Sequence, residues 1–148
     1  MKSVKYKKLY EDSIEPMRGT EYSAGFDLHA HVGDEAVGVP IGETVMIGSG
    51  ISIAIPNGFF GAVFARSGLS TKKGLRPANC VGVIDSDYRG EIYIPIYNDS
   101  DQWQYINDGD RVAQLIIIPY YKVNLEEVDD LDNTERGNGG FGSTGESG

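Results

Sequence analysis

Four of the six arginines in this 148-residue chain, Arg66, Arg89, Arg111 and Arg136, stand in short segments that also carry glycine with a hydroxyl, amide or carboxylate. Segments of that make can hold an anion, because a guanidinium pairs with two oxygens at once and glycine lets backbone N–H groups come close. In ARSGLS, Arg66, the Ser67 hydroxyl and the Gly68 amide open a predicted short helix, where unsatisfied N–H groups and the helix dipole favour negative charge. The same residues would equally make an ordinary serine N-cap. GVIDSDYRGEI is denser in chemistry. One of its carboxylates, Asp85 or Asp87, can act as a general base or orient a water, and Tyr88 offers a flat surface for a sugar or base. A turn of this composition can also simply join two strands of a hairpin. GDRVAQL sets Asp110, Arg111 and Gln114 where a strand begins, and reads either as a third binding segment or as a turn with a local ion pair.

At the C-terminal end, six of the twelve residues from Gly137 onward are glycine. Composition alone allows a disordered tail or linker. Arg136 and Phe141 embedded among the glycines suit instead a flexible lid over an anionic, aromatic ligand. His29 and His31 share a predicted strand face with no cysteine near them, which disfavours zinc. A hard-metal site of carboxylate, water and phosphate oxygens remains open, with magnesium its obvious occupant.

These groups need elements to position them. Runs such as VKYKKLY, FDLHAHV, GISIAI, FFGAVFA, EIYIPIYN and RVAQLIII alternate or are rich in β-branched residues, and turn signals separate them. That spacing predicts an all-β sandwich or barrel. Ile51, Ile53 and Ile55 share one face and Ile92, Ile94 and Ile96 another, so both sets are assigned to core. Pro95 cannot donate to a ladder, which places its strand at an edge or a bulge. One short helix is predicted from near Ser67 to Gly74, and no internal repeat is present.

Composition narrows the function classes. With 40% apolar and 24% charged residues the chain suits one globular domain, with a core spanning residues 1–123, an acidic connector at 124–135 and a glycine-rich arm at 136–148. Cys80 is the only cysteine, so no internal disulfide forms and a reducing, intracellular compartment is expected, cytoplasmic or, for a eukaryotic or viral source, nuclear. MKSVKYKKLY lacks the apolar run of a signal peptide, and the stretch Leu115 to Ile118 is far too short to span a bilayer, so a soluble protein without membrane partners is expected. Net charge is −9, but six of the acids fall in the connector and leave 16 acids against 13 bases elsewhere. Nucleic acid is disfavoured as a partner, because its binding needs a basic face and Lys2, Lys5, Lys7 and Lys8 read as a solvated strand edge.

Taken in order, AGFDLHA (24–30), RSGLS (66–70), GVIDSDYRG (82–90), GDRVAQL (109–115) and RGNGGFGSTG (136–145) resemble the five motifs of the trimeric dUTPases, the deoxyuridine triphosphate nucleotidohydrolases. The resemblance implies a distorted jelly-roll-like β-barrel and a homotrimer with active sites shared between subunits. It also implies hydrolysis of dUTP to dUMP and pyrophosphate, which keeps uracil out of DNA and supplies dUMP for thymidylate synthesis. Asp85 would activate the water that attacks the α-phosphorus, and Tyr88 would pack on the deoxyribose and exclude a 2′-hydroxyl. Asn79 and the backbone of Gly82, Val83 and Ile84 would read uracil, on a hairpin reaching to Tyr93.

By the same resemblance, Arg66, Ser67, Gly68 and Gln114 would contact the phosphate chain, and Asp27 would hold Mg2+ through water. Arg136 would pair with the γ-phosphate, Phe141 would cover the uracil, and Gly142, Ser143 and Thr144 would complete the phosphate cradle. Asp110 is expected to support the structure by pairing with an arginine. Ala65 departs from the proline many members carry and would loosen the loop before Arg66, while Lys72, Lys73 and Arg76 are more cationic than the site needs and read either as a solvated face or as charges that steer an anionic substrate inward. Two rivals differ in class. A dCTP deaminase needs a glutamate near the base, which Asn79 to Asp85 do not supply and which Glu91, expected to fall after the hairpin's turn, does not supply either, and a nucleotide-sensing protein would have lost Asp85 or the arm.

Overall fold

Alternation of apolar and polar residues gives strands throughout. In a computed structural model, which describes residues 3–140, the elements run β1 (Lys5–Lys8), β2 (Phe26–His29), β3 (Val37–Val39), β4 (Thr44–Ala54), β5 (Phe59–Phe64), α1 (Ser67–Lys73), β6 (Leu75–Pro77), β7 (Val81–Ile84), β8 (Glu91–Asn98), β9 (Gln104–Ile106) and β10 (Arg111–Pro119). Pairing is antiparallel, in one sheet of order β1-β4-β8-β6, a second of order β2-β10-β5-β7, and a two-stranded sheet β3-β9. The architecture is all-β and jelly-roll-like, with one short helix among the described residues. No helix among them is long and apolar enough to cross a membrane.

Ile47, Ile51, Ile94 and Ile96 of the first sheet and Leu28, Val63, Val112 and Leu115 of the second belong to one buried cluster. Along β8 the two-residue period is clean: Ile92, Ile94 and Ile96 are buried, and Glu91, Tyr93, Pro95 and Tyr97 turn outward between them. Ile51, Ile53 and Ile55 are buried as the spacing predicted. All four residues of β1 are exposed at the edge of its sheet, so its lysines are the solvated edge expected of them.

Pro95 does not mark an edge strand, because β8 lies between β4 and β6. The carbonyl of Pro95 accepts the Ala78 N–H at 2.7 Å, so the missing donor faces the β6 side. There β6 has just ended at Pro77, opposite Ile96, so the bond that Pro95 cannot donate falls at the end of that ladder and not within it.

The hairpin expected around Asp85 does not form as a ladder. β7 bonds to β5 in the second sheet and β8 bonds to β4 and β6 in the first, so residues 85–90 cross between sheets. Ile84 and Ile92 must both be buried, and strands in opposite sheets reach the shared core from either side. Splaying them leaves an opening where a hairpin would have placed its hydrogen bonds.

The helix runs where the sequence placed it, from Ser67 to a left-handed Gly74 with φ 65°. Its N-cap is Arg66, in extended conformation and with no side-chain cap hydrogen bond. Ser67 is therefore the first helical residue and not a capping serine, so its hydroxyl is left for other use.

Candidate active site

Two cavities collect the sequence-predicted residues. The first, of about 220 Å³, occupies the opening between β7 and β8 and is lined by Asn79, Gly82, Val83, Ile84, Asp85, Tyr88 and Tyr93 together with Val63, Glu91, Ile92, Ile94 and Pro95. A tight turn delivers Asn79: the Cys80 N–H bonds the Pro77 carbonyl at 3.1 Å, and Cys80 takes φ 60°, an uncommon conformation for a residue with a side chain. The crossing loop is braced from within. Arg89 Nη1 donates to the carbonyls of Ser86 and Tyr88 at 2.7 and 2.8 Å, and Ser52 Oγ donates to the Arg89 carbonyl at 2.6 Å. Arg89 is thus a brace for the loop and lines neither cavity.

Tyr88 folds back over Gly90 and its hydroxyl donates to the Glu91 carbonyl at 2.8 Å. A Cβ on Gly90 would lie 2.5 Å from that hydroxyl oxygen and 2.7 Å from Cζ, so only glycine permits this placement of the ring.

Glu91, expected from the sequence to fall after the hairpin's turn and away from the base, lines this first cavity instead. Its carboxylate accepts the Gly50 N–H at 2.8 Å and hydrogen-bonds Tyr93, which, with the charge of Glu91, raises the Tyr93 phenol above its ordinary pKa. A signal existed in the partner strand, where Gly48 and Gly50 interrupt an apolar run as glycines do at close approaches. A Cβ at Gly48 would sit 2.6 Å from Glu91 Oε1.

The second cavity, of about 200 Å³, is polar and cationic, lined by Asp27, Arg66, Ser67, Arg111 and Gln114 with Gly19, Ser23 and Gly25. Asp27 Oδ1 pairs with Arg66 Nε at 2.8 Å and Oδ2 with Arg111 Nη1 at 3.5 Å. Gln114 lies opposite Asp27 on β2 and opposite Phe64 on β5, and its Nε2 donates to the Ala65 carbonyl at 2.9 Å. The loop before Arg66 is thereby tied to β10 through the Ala65 carbonyl. Asp110 pairs with no arginine; its carboxylate accepts the Asn107 N–H at 2.9 Å and closes the turn before β10, while Arg111 turns to Asp27.

Burial holds the His29 imidazole below its ordinary pKa, an effect that Asp27 opposes and Arg111 and Arg66 reinforce. Outside this pocket, His31 pairs with Asp12 at 3.0 Å and stacks on Tyr10.

The described residues contain no group of three or more His, Cys, Asp or Glu that could hold a metal by themselves. Asp27 is one hard oxygen donor, already paired with guanidinium, so the donor set suits a magnesium ion only where phosphate oxygens supply most of the negative charge.

The two cavities share no lining residue. Gly68 lines a third cavity beside the second. Arg136 Nε donates to the carbonyl of Gly139 at 3.0 Å, within its own exposed segment, and lines neither of the first two cavities. Phe141, Gly142, Ser143 and Thr144 lie outside the described residues.

The sequence model of the family described as dUTPase matches residues 11–145. A deoxyuridine 5′-triphosphate nucleotidohydrolase of Maricaulis maris (strain MCS10) is 48% identical over 145 residues, covering 96% of this chain and 95% of that protein. Among solved structures, the dUTPase of Staphylococcus bacteriophage 80alpha with dUpNHpp superposes with a TM-score of 0.84 at 27% identity, over 98% of this chain and 99% of that one. A mutant dUTPase of phage phi11 of S. aureus, in which a structural Mg(II) ion is coordinated, superposes with a TM-score of 0.76 at 27% identity, over 87% and 98%.

Proposed function

The chain belongs to the dUTPase family and is a dUTP diphosphatase that converts dUTP to dUMP, and we propose that it does so by attack of an Asp85-activated water on the α-phosphorus. The observation that carries this reading is the assembly of Asn79, Asp85, Tyr88 and the β7 backbone around one cavity while Arg66, Ser67 and Gln114 converge on another. β7 is an edge strand, so backbone groups that point away from β5 are free to pair with the edges of uracil. Asn79 adds an amide beside Gly82, Val83 and Ile84, and Tyr93 closes the far wall. Tyr88, held by its bond to Glu91, covers the deoxyribose and leaves no room for a 2′-hydroxyl.

Asp85 accepts the water's proton as the water oxygen bonds the α-phosphorus, and the bond from that phosphorus to the bridging oxygen of the β-phosphate breaks to release pyrophosphate. Such a displacement asks the protein mainly for alignment and for cations near the leaving charge. Arg66, Ser67, Gly68 and Gln114 hold the phosphate chain, with Arg136 on the γ-phosphate. Phe141 covers the base, and Gly142, Ser143 and Thr144 complete the cradle. Asp27, through water, would hold magnesium brought by the substrate; when bound, that ion neutralises phosphate charge. Phosphate oxygens that attract Arg66 and Arg111 would at the same time release Asp27 for this role.

Following the family resemblance, we further propose that the base cavity of one copy and the triphosphate cavity of another form each site in a homotrimer, with the arm of residues 136–148 closing over it; two cavities with no lining residue in common are compatible with that division. Pyrophosphate release from dUTP, with little from dTTP, dCTP or UTP, is the expected substrate panel. For the shared site, an inactive Asp85→Asn chain is unfolded and refolded together with an Arg66→Ala chain and assayed at a dUTP concentration too low for the Arg66→Ala chain to bind. Mixed trimers should regain activity, since some sites then combine two intact halves; no regain would place both halves in one chain. Deamination of dCTP finds no support, since the Glu91 carboxylate in the base cavity is engaged by Gly50 and Tyr93.

A further inference from the structure

A third cavity, of about 260 Å³, adjoins the triphosphate cavity, shares Arg66 and Arg111 with it, and extends along α1 to Lys72 and Lys73. Four cationic side chains and one carboxylate, Asp110, line it in a chain whose net charge is −9. That carboxylate is occupied by the Asn107 N–H. Lys72 makes no hydrogen bond or ion pair among the described residues, and Lys73 reaches only the Tyr105 carbonyl, at 3.5 Å. Like charges gathered around a concavity repel one another and raise the local concentration of anions. No step of the hydrolysis set out above uses either lysine.

We propose that this cavity is a receiving site for inorganic pyrophosphate, the leaving group of the reaction. The inference rests on the hydrolytic reading of the neighbouring site. When the bond to the α-phosphorus breaks, the β- and γ-phosphates become a separate anion with one more ionisable oxygen than they had in the nucleotide. That added charge favours movement from the shared arginines toward two further cations. The arginines stay in contact throughout, and the triphosphate cavity is cleared for the next substrate. Lys72 and Lys73 therefore act on the product more than on the substrate.

Titration calorimetry of the full chain with inorganic pyrophosphate tests this, run on the wild type, on Lys72→Gln/Lys73→Gln, on Lys72→Arg and on Arg76→Gln. Arg76 is a fair control, since it lies outside the cavity, stacks on Tyr97 and faces Asp99 at 3.9 Å. The double variant should bind pyrophosphate about tenfold more weakly, while its KM for dUTP moves by less than about threefold. Pyrophosphate inhibition of dUTP hydrolysis should weaken in parallel. Lys72→Arg, which keeps the charge, and Arg76→Gln should bind as the wild type does. Equal affinity in wild type and double variant overturns the proposal, as does a rise in KM as large as the loss of pyrophosphate binding. A wild-type chain that does not hydrolyse dUTP overturns the hydrolytic reading itself, a failure visible in the turnover assay and not in the titration.

Discussion

On the function proposed above, the base cavity and the triphosphate cavity solve opposite recognition problems with opposite materials. The first is built from strand backbone and aromatic rings, and its order comes from bonds that end on main-chain atoms: Tyr88 on the Glu91 carbonyl, Glu91 on the Gly50 N–H, Arg89 on two carbonyls of its own loop. The second is built from charged side chains, and its order comes from Asp27 standing between Arg66 and Arg111. A neutral base differs from its competitors by a methyl or an amino group, so a fixed shape must do the discriminating. A triphosphate is distinguished by charge, and cations held by a carboxylate can be transferred to phosphate when substrate arrives. Substitutions in the first region should therefore alter selectivity and turnover, and those in the second should alter binding.

Asp85→Asn probes that division most severely. The variant keeps the shape of the base cavity and loses the proton acceptor, so kcat should fall by roughly a thousandfold or more while dUTP binding, measured by calorimetry, stays within about threefold. Loss of binding by the same factor would mean that Asp85 shapes the cavity and does not act on the water. Arg66→Ala should show the opposite pattern. Affinity for dUTP should fall by about a hundredfold, with affinity for deoxyuridine unchanged, because a charge-assisted bidentate contact disappears. Raising the salt concentration should weaken wild-type binding of dUTP far more than that of deoxyuridine.

Much of this arrangement was legible in the sequence, and what escaped it has a common cause. The two isoleucine triplets, the helix ending at Gly74 and the grouping of Asn79, Asp85 and Tyr88 all depend on local period or local motif, which a sequence displays directly. Three expectations failed where a strand's partner decided the outcome. Pro95 was read as marking an edge or a bulge because nothing in its own run shows that β6 stops one residue short of it. The crossing between β7 and β8 looked like a hairpin because composition is the same for a turn within a sheet and an arch between sheets. Asp110 and Asp27 both had arginines close in sequence or motif, and only the register of β10 against β2 directs Arg111 to Asp27. Glu91 was set aside as lying beyond a hairpin turn for the same reason, since the glycines that admit its carboxylate lie on another strand.

Gly90→Ala tests whether the base cavity depends on backbone room as closely as the comparison requires. The new Cβ would meet the Tyr88 ring, which must swing off the Glu91 carbonyl. Displacing a contact wall by about an ångström should reduce kcat/KM for dUTP on the order of tenfold to a hundredfold. The ratio of dUTP to UTP turnover should fall as well, since the ring proposed to exclude the 2′-hydroxyl has moved. A uniform loss with that ratio intact would assign Tyr88 no part in sugar discrimination.

The smallest effect, and the sharpest on mechanism, comes from Glu91→Gln. Glu91 accepts the Tyr93 hydroxyl proton and its charge disfavours the phenolate, so Tyr93 stays neutral to higher pH than the ordinary 10.0. A group whose pKa is raised on folding contributes stability below its unfolded pKa and loses that contribution as pH rises through the folded value. Glutamine keeps an oxygen acceptor but removes the charge, so Tyr93 should titrate at lower pH and the alkaline loss of the cavity wall should begin sooner. Near neutral pH, KM for dUTP should change only a few-fold, because the Gly50 contact survives as a neutral hydrogen bond. NMR titration of the Tyr93 ring in both proteins reads the shift directly. An unchanged midpoint would show that Glu91 does not hold Tyr93, and the order of the base cavity would then rest on Tyr88 and Gly90 alone.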